Sequence, residues 1–115
     1  MAKQIESGAQ AEQAAAIYLQ QHGLKLIDSN FRSRFGEIDL IMQEGETLVF
    51  VEVRKRSNFQ FGGAAASIDH RKQAKLIATA QLYLGTLKAI PPCRFDALLI
   101  DGNEQIEWLK NAFAA

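Results

Sequence analysis

The sequence predicts an α/β layered domain with the element order helix, three strands, helix, strand, strand. Three observations carry this. Residues 36–54 alternate apolar and polar positions in two runs, with 38, 40 and 42 apolar in the first and 49, 51 and 53 in the second, which is strand periodicity. Two other stretches, 8–22 and 69–84, place their apolar residues at helical spacing. A further apolar run, Cys93 to Ile100, follows the chain-breaking Pro91-Pro92, and the helix before it can carry a right-handed crossover to a parallel neighbour.

The elements follow in order. Met1 to Ser7 is polar and expected to fray. Gly8 to His22 is rich in alanine and glutamine, with Ala11, Ala15, Tyr18 and His22 in one row and Gly23 as the stop. Leu24 to Asn30 is a short strand, and Arg32-Ser33-Arg34 a polar connection into the hairpin. Gly45-Glu46 suits a two-residue hairpin loop with glycine first. Counting outward from it, Glu44 pairs with Thr47, Asp39 lies opposite Glu52, and Glu37 lies opposite Arg54. The stretch 55–66 is a loop holding Phe59, Phe61 and Gly62-Gly63, which match no phosphate-binding fingerprint. Those phenylalanines either stack on bases or pin the loop to the core. Ser67 or Asp69 caps the second helix, and Gly85 closes it. His70 reads as a cap or surface residue. Asp101-Gly102-Asn103 turns the chain into a short strand from Gln105 to Leu109, and Asn111 to Ala115 reads as a tail.

With 115 residues the chain is expected to form a single domain, and an apolar fraction of 48% argues against disorder. No apolar run reaches membrane-spanning length and no signal-peptide pattern opens the chain, so a cytoplasmic location without membrane partners is expected. The single cysteine, Cys93, excludes an internal disulfide and a cysteine-cluster zinc site, and reads as a buried, inert thiol on a strand. Net charge is zero, but positive charge is concentrated after the hairpin: Arg54, Lys55, Arg56, Arg71, Lys72 and Lys75 against Asp69 alone. Such a cluster is either a phosphate footprint or a solvated helix face.

The facing pair Asp39 and Glu52 is the chemically informative feature. Two ionised carboxylates opposite each other, with Cβ atoms roughly 5 Å apart, repel and call for compensation. A divalent cation supplies it, since such ions need clustered oxygen ligands. A solvated face neutralised by Arg54 is the alternative. Glu12, on the first helix, is either an exposed glutamate or one that reaches over the sheet toward the pair.

Asp39…Glu52-Val53-Arg54, with Glu12 on the preceding helix and Lys72 on the following one, resembles the restriction-endonuclease-like nucleases, which carry Asp and then Glu-x-Lys on adjacent strands. Gly8…Ala11-Glu12, Asn30-Phe31-Arg32, Gly36-Glu37-Ile38-Asp39-Leu40, Phe50-Val51-Glu52-Val53-Arg54, Phe61-Gly62-Gly63-Ala64 and Cys93-Arg94-Phe95-Asp96 together resemble the YraN family, small bacterial proteins related to archaeal Holliday-junction resolvases. The resemblance runs over nearly the whole chain. It implies a single nuclease-like domain over 1–115, with a restriction-endonuclease-like αβββαβ core whose mixed sheet is flanked by helices. It also implies a Mg²⁺- or Mn²⁺-dependent endonuclease acting on DNA, branched forms included, with RNA left open, and a homodimer by analogy with resolvases. Asp39 and Glu52 would hold the ion with the Val53 carbonyl, and Glu12 would be an outer ligand or base. Arg54 stands where the superfamily has lysine. It can clamp a phosphate through two hydrogen bonds but stays protonated, so Lys72 is the residue to supply an ammonium. Arg32, Arg34, Arg56, Arg71 and Lys75 would contact the nucleic-acid backbone. A nuclease fold that binds nucleic acid or protein without hydrolysis is the other reading, favoured by Arg54.

Overall fold

A computed structural model describes residues 8–56 and 68–114, with the side chain of Arg56 left undescribed. The elements are α1 (Gly8–Gln21), β1 (Lys25–Ser33), β2 (Gly36–Glu44), β3 (Thr47–Arg56), α2 (His70–Leu84), β4 (Cys93–Asp101) and β5 (Ile106–Phe113). The strands form one sheet in the order β1-β2-β3-β4-β5. β3 and β4 run parallel and every other neighbouring pair is antiparallel. This is the expected mixed α/β architecture, compatible with a restriction-endonuclease-like αβββαβ core, with β5 added at one edge. Among the described residues no helix is long and apolar enough to cross a membrane.

The helices cover opposite faces of the sheet. Ala11, Ala15, Ala16 and Leu19 of α1 pack on Leu40, Met42, Val49, Val51, Leu98 and Ile100. Leu76 and Ala80 of α2 pack on Ile41, Phe50, Phe95, Ala97 and Leu99. Strand side chains alternate between faces, so consecutive apolar runs on β2, β3 and β4 serve both layers. The α1 face is built of alanines, which lets the helix backbone approach the sheet closely. Gly23, with φ of +92°, ends α1 while Leu24 N–H donates to the Leu19 carbonyl at 3.0 Å. Asp69 caps α2 by accepting from Lys72 N–H at 2.8 Å. His70 is the exposed first residue of that helix. Ser67, Phe59, Phe61 and Gly62-Gly63 lie outside the described residues.

Tertiary packing changes several of the sequence expectations, and the loop expected from 55 begins later, since Lys55 and Arg56 pair with Ile100 and Asp101 as the end of β3. β1 extends through Arg32 and Ser33, leaving only Arg34-Phe35 as the turn. Ser33 explains the extension: its hydroxyl accepts from Phe35 N–H at 3.0 Å and lies 2.9 Å from the hydroxyl of buried Thr79, fastening the β1–β2 turn to α2. Ile38 departs from the row of Leu40 and Met42 and packs in the α2 layer with Phe31. The expected tail is strand: β5 runs to Phe113, whose ring stacks on Phe95 at 4.8 Å, and Phe95 in turn stacks on Phe50 at 5.4 Å. Cys93 is exposed rather than buried, because it is the first residue of β4 at the rim of the sheet, with its thiol donating to the Pro91 carbonyl at 3.3 Å.

The β4–β5 register shifts between Phe95 and Ala97, and fully buried Asp96 fills the gap. Its carboxylate accepts from Trp108 Nε1 at 3.0 Å, Asn111 N–H at 2.9 Å and Arg94 Nε at 3.0 Å. Arg94 also donates to Glu44 at 2.6 Å, so one guanidinium ties the β2–β3 turn to β4. This buried charge is paired and hydrogen-bonded, the condition under which burial is tolerated. Asp96→Ala leaves the indole N–H and the guanidinium without their acceptor. It should lower the unfolding free energy by about 3–5 kcal/mol, read from urea melts monitored at Trp108.

Candidate metal centre

The hairpin turns as its sequence predicts. Gly45 takes φ of +59° and Glu44 pairs with Thr47. The paired ladder then runs outward to Leu40↔Val51 and stops. Asp39 and Glu52 are the next residues on the two strands, and there the strands part. Asp39 Oδ2 accepts from Val53 N–H at 2.8 Å, so a side chain stands where a main-chain partner is expected. β3 remains in the sheet at this point through its parallel register with β4, Glu52↔Ala97 and Val53↔Leu98.

Two elements bring three carboxylates to this opening. Asp39 and Glu37 come from one face of β2, two residues apart, and Glu12 comes from α1. One oxygen from each of the three lies within 4.8 Å of the others. Oxygens bound about 2.0–2.6 Å from a single divalent ion sit no more than about 5 Å from each other, so this spacing matches a shared cation. Asn30 organises the acids. It adopts φ of +54°, a conformation asparagine tolerates, and its Nδ2 donates to Glu12 at 2.7 Å and to Glu37 at 2.9 Å. Arg32 Nε donates to the other Glu37 oxygen at 2.8 Å.

Glu52 lies behind this group, 6% exposed, with its Oε1 3.7 Å from Lys72 Nζ. Its Oε2 is buried without a hydrogen-bond partner among the described residues. A buried carboxylate oxygen left unpaired is costly, and a cation or proton is what would satisfy it. The electrostatics agree. Burial, reinforced by the charge of Glu52 and then of Glu12 and Glu37, pushes the Asp39 carboxyl up to about 7 against the lowering effect of Val53 N–H. Burial likewise raises Glu52, while Lys72 and Arg54 hold it down. Without a cation, the pair retains a proton near neutrality.

Asp39 and Glu12 thus come together with Glu37, while Glu52 lies next to Asp39 but outside that trio and just beyond the paired ladder, and Val53 reaches Asp39 through its N–H. Half-buried Arg54 is close enough for its charge to act on Glu52, and Lys72 reaches the same carboxylate. Glu37 does not face Arg54: the β1–β2 register places it against Arg32, and it joins the acidic group instead. The signal for it was present, since Glu37 and Asp39 are spaced to share a strand face. Asn30 left no comparable signal, because its role depends on a backbone conformation and on α1. Of the expected backbone contacts, Arg71 and Lys75 are exposed on α2, whereas Arg32 is engaged with Glu37 and Arg34 lies over the Phe35 ring at 4.8 Å. The Arg56 side chain lies outside the described residues.

Fold and site together define a mixed α/β domain with an all-oxygen acidic centre where its central hairpin opens. Residues 11–100 match the family model described as "Uncharacterised protein family UPF0102". A UPF0102 protein of Nitrosomonas eutropha is 58% identical over 113 residues, covering 98% of this chain and 97% of its own. One from Nitrosomonas europaea is 59% identical over 108 residues, covering 92% of each chain, and one from a Janthinobacterium species is 56% identical over 114 residues, covering 99% of this chain and 91% of its own. The chain belongs to the UPF0102 family, which is the YraN family its motifs resemble.

The raised Asp39 carboxyl has a defined consequence for stability. The folded protein keeps a proton on Asp39 up to about 7, whereas the unfolded chain releases it at the ordinary value of 3.8. Between those values the folded state binds more protons, so stability falls as pH rises, by up to about 1.4 kcal/mol per pH unit from this group. In EDTA, Asp39→Asn should remove this part of the decline, so the variant gains on the wild type between pH 4 and 7. Denaturant melts at pH 4.5 and 7.5 read the difference.

Proposed function

We propose that this protein is a metal-dependent endonuclease that hydrolyses phosphodiester bonds in DNA, branched or otherwise structured forms included. The observation that carries the reading is the buried Glu52 Oε2, without a partner among the described residues, beside an Asp39 carboxyl that burial and neighbouring charge push up to about 7. The donor set is all oxygen, which fits Mg²⁺ or Mn²⁺ rather than a softer metal. Asp39 and Glu52 would hold the ion, helped by the Val53 carbonyl, and Glu12 and Glu37 lie close enough to Asp39 to add further oxygens.

A bound divalent ion would lower the pKa of water and neutralise charge building on the phosphate. The protein groups divide the remaining work. Glu12 would take the proton of the attacking water as its oxygen bonds to phosphorus, and the P–O bond to the leaving oxygen would break with that oxygen taking a proton from solvent. Arg54 clamps a non-bridging phosphate oxygen pair, which suits a guanidinium that stays charged. Lys72, 3.7 Å from Glu52, would supply the ammonium that the superfamily takes from a strand lysine. Arg71 and Lys75, exposed on the same helix, add positive charge along the approach of the backbone. The second reading, a nuclease fold that binds nucleic acid or protein without cutting, is favoured by Arg54 in the lysine position.

Two measurements separate these. Mn²⁺ should raise the melting temperature, equivalent to about 2.7 kcal/mol at a hundredfold excess over the dissociation constant, and Asp39→Asn should abolish the rise. Mn²⁺-dependent cleavage of a panel of branched, duplex and single-stranded DNA and RNA then reads the activity. Lys72→Ala should abolish turnover while keeping the Mn²⁺ shift. A Mn²⁺ shift without cleavage of any member would favour the binding module, and no shift at millimolar Mn²⁺ would overturn the metal centre.

Nucleic-acid affinity carried by about six basic side chains should fall on the order of a thousandfold between 50 and 200 mM salt. Fluorescence anisotropy across that range measures it, and a flat response would remove the phosphate contacts.

A further inference from the structure

Between α1 and the edge strand β1 lies a cavity of about 260 Å³ that shares part of its lining with the acidic centre. Two residues belong to both: Glu12 and Asn30 line the cavity and are also bonded to each other at 2.7 Å in the centre. Ala9 and Ala16 of α1, Leu26 of β1 and buried Leu40 make its walls apolar. Gln13 and Ser29 place an amide and a hydroxyl at its edge. The space exists because α1 presents alanines at 9 and 16, one helical turn to either side of Glu12 and Gln13.

The chemistry of the lining selects among the parts of a nucleotide. Among the described residues no lysine or arginine lines the cavity, and Glu12 makes that lining negative, which disfavours a phosphate. A flat, neutral group with hydrogen-bonding edges fits apolar walls fringed by amide and hydroxyl groups. We propose that the cavity takes a nucleobase adjoining the scissile phosphate, turned out of its stack, and that the substrate is nucleic acid with an unpaired base at the cut site. This deepens the nuclease reading and rests on it for the placing of the phosphate. An intact duplex would have to unpair and unstack a base first, at a cost of a few kcal/mol that a single strand, flap or junction does not meet in full.

The test uses the whole chain in EDTA at low salt, so it reads base capture without metal or turnover. The probe is a short single-stranded oligonucleotide with 2-aminopurine at an internal position, compared with the same strand fully paired. The single strand should bind about tenfold more tightly than the duplex, with a change in 2-aminopurine emission, since one captured base contributes about that factor. Ser29→Tyr fills the cavity from an exposed strand position that accepts an aromatic residue, and should remove both the preference and the emission change while melting like the wild type. Gln13→Ala, at an exposed helix position, should weaken single-strand binding alone. Equal binding of both forms by the wild type, or an unchanged preference in both variants, would overturn the proposal. Failure of the nuclease reading looks different: the Mn²⁺ melting shift would be absent while the single-strand preference, read in EDTA, persists.

Discussion

The structure turns on the hydrogen bond from Val53 N–H to the Asp39 carboxylate. A hairpin whose ladder continued past Leu40↔Val51 would bring Asp39 and Glu52 into direct opposition with main-chain bonds on both sides. Here the side chain takes over a main-chain role, so the strands separate while no N–H is lost. The separation admits Glu12 from α1 on one side and Lys72 from α2 on the other. Both helices thus reach the same point although they pack on opposite faces.

The rest of the fold holds this opening in place. Thr79 and Ser33 fasten the β1–β2 turn to α2, fixing where β2 begins and so where Glu37 and Asp39 lie. Arg94 ties Glu44 at the hairpin turn to Asp96 in β4. The two buried acids contrast in a way that separates scaffold from site. Asp96 accepts hydrogen bonds from three residues and its charge is matched by Arg94. Glu52 retains a buried oxygen with no partner among the described residues, beside an acid whose carboxyl is pushed up to about 7. A protein tolerates such a local deficit where the group serves something other than the fold.

The acidic centre and the cavity next to it are also linked through one residue. Asn30 spans Glu12 and Glu37, and its positive φ lies in β1 two residues beyond the register shift at Leu26 and Asp28. Irregularity in this edge strand thus shapes both the spacing of the carboxylates and the cavity wall. An edge strand can absorb it because one side carries no ladder to disrupt.

The sequence by itself determined the elements and the central register. Period-2 and helical spacing are local signals, and Gly45-Glu46 sets the hairpin count without reference to the rest of the chain. The neighbourhood of Asp39 and Glu52 was legible for the same reason, helped by the Gly-Glu-Ile-Asp and Phe-Val-Glu-Val motifs, whereas the place of Glu12 was left open until α1 was seen packed on the sheet. What depended on contacts between distant segments was decided by tertiary structure alone. Ile38 changed layers because Phe31 on β1 lies beside it. Residues 111–113 became strand because Asp96 captures Asn111 N–H and Phe95 offers its ring to Phe113. Glu37 turned away from Arg54 because the β1–β2 register supplied Arg32 and Asn30 as nearer partners. Periodicity reports which face a side chain occupies, while its partner is set by which strand or helix packs there.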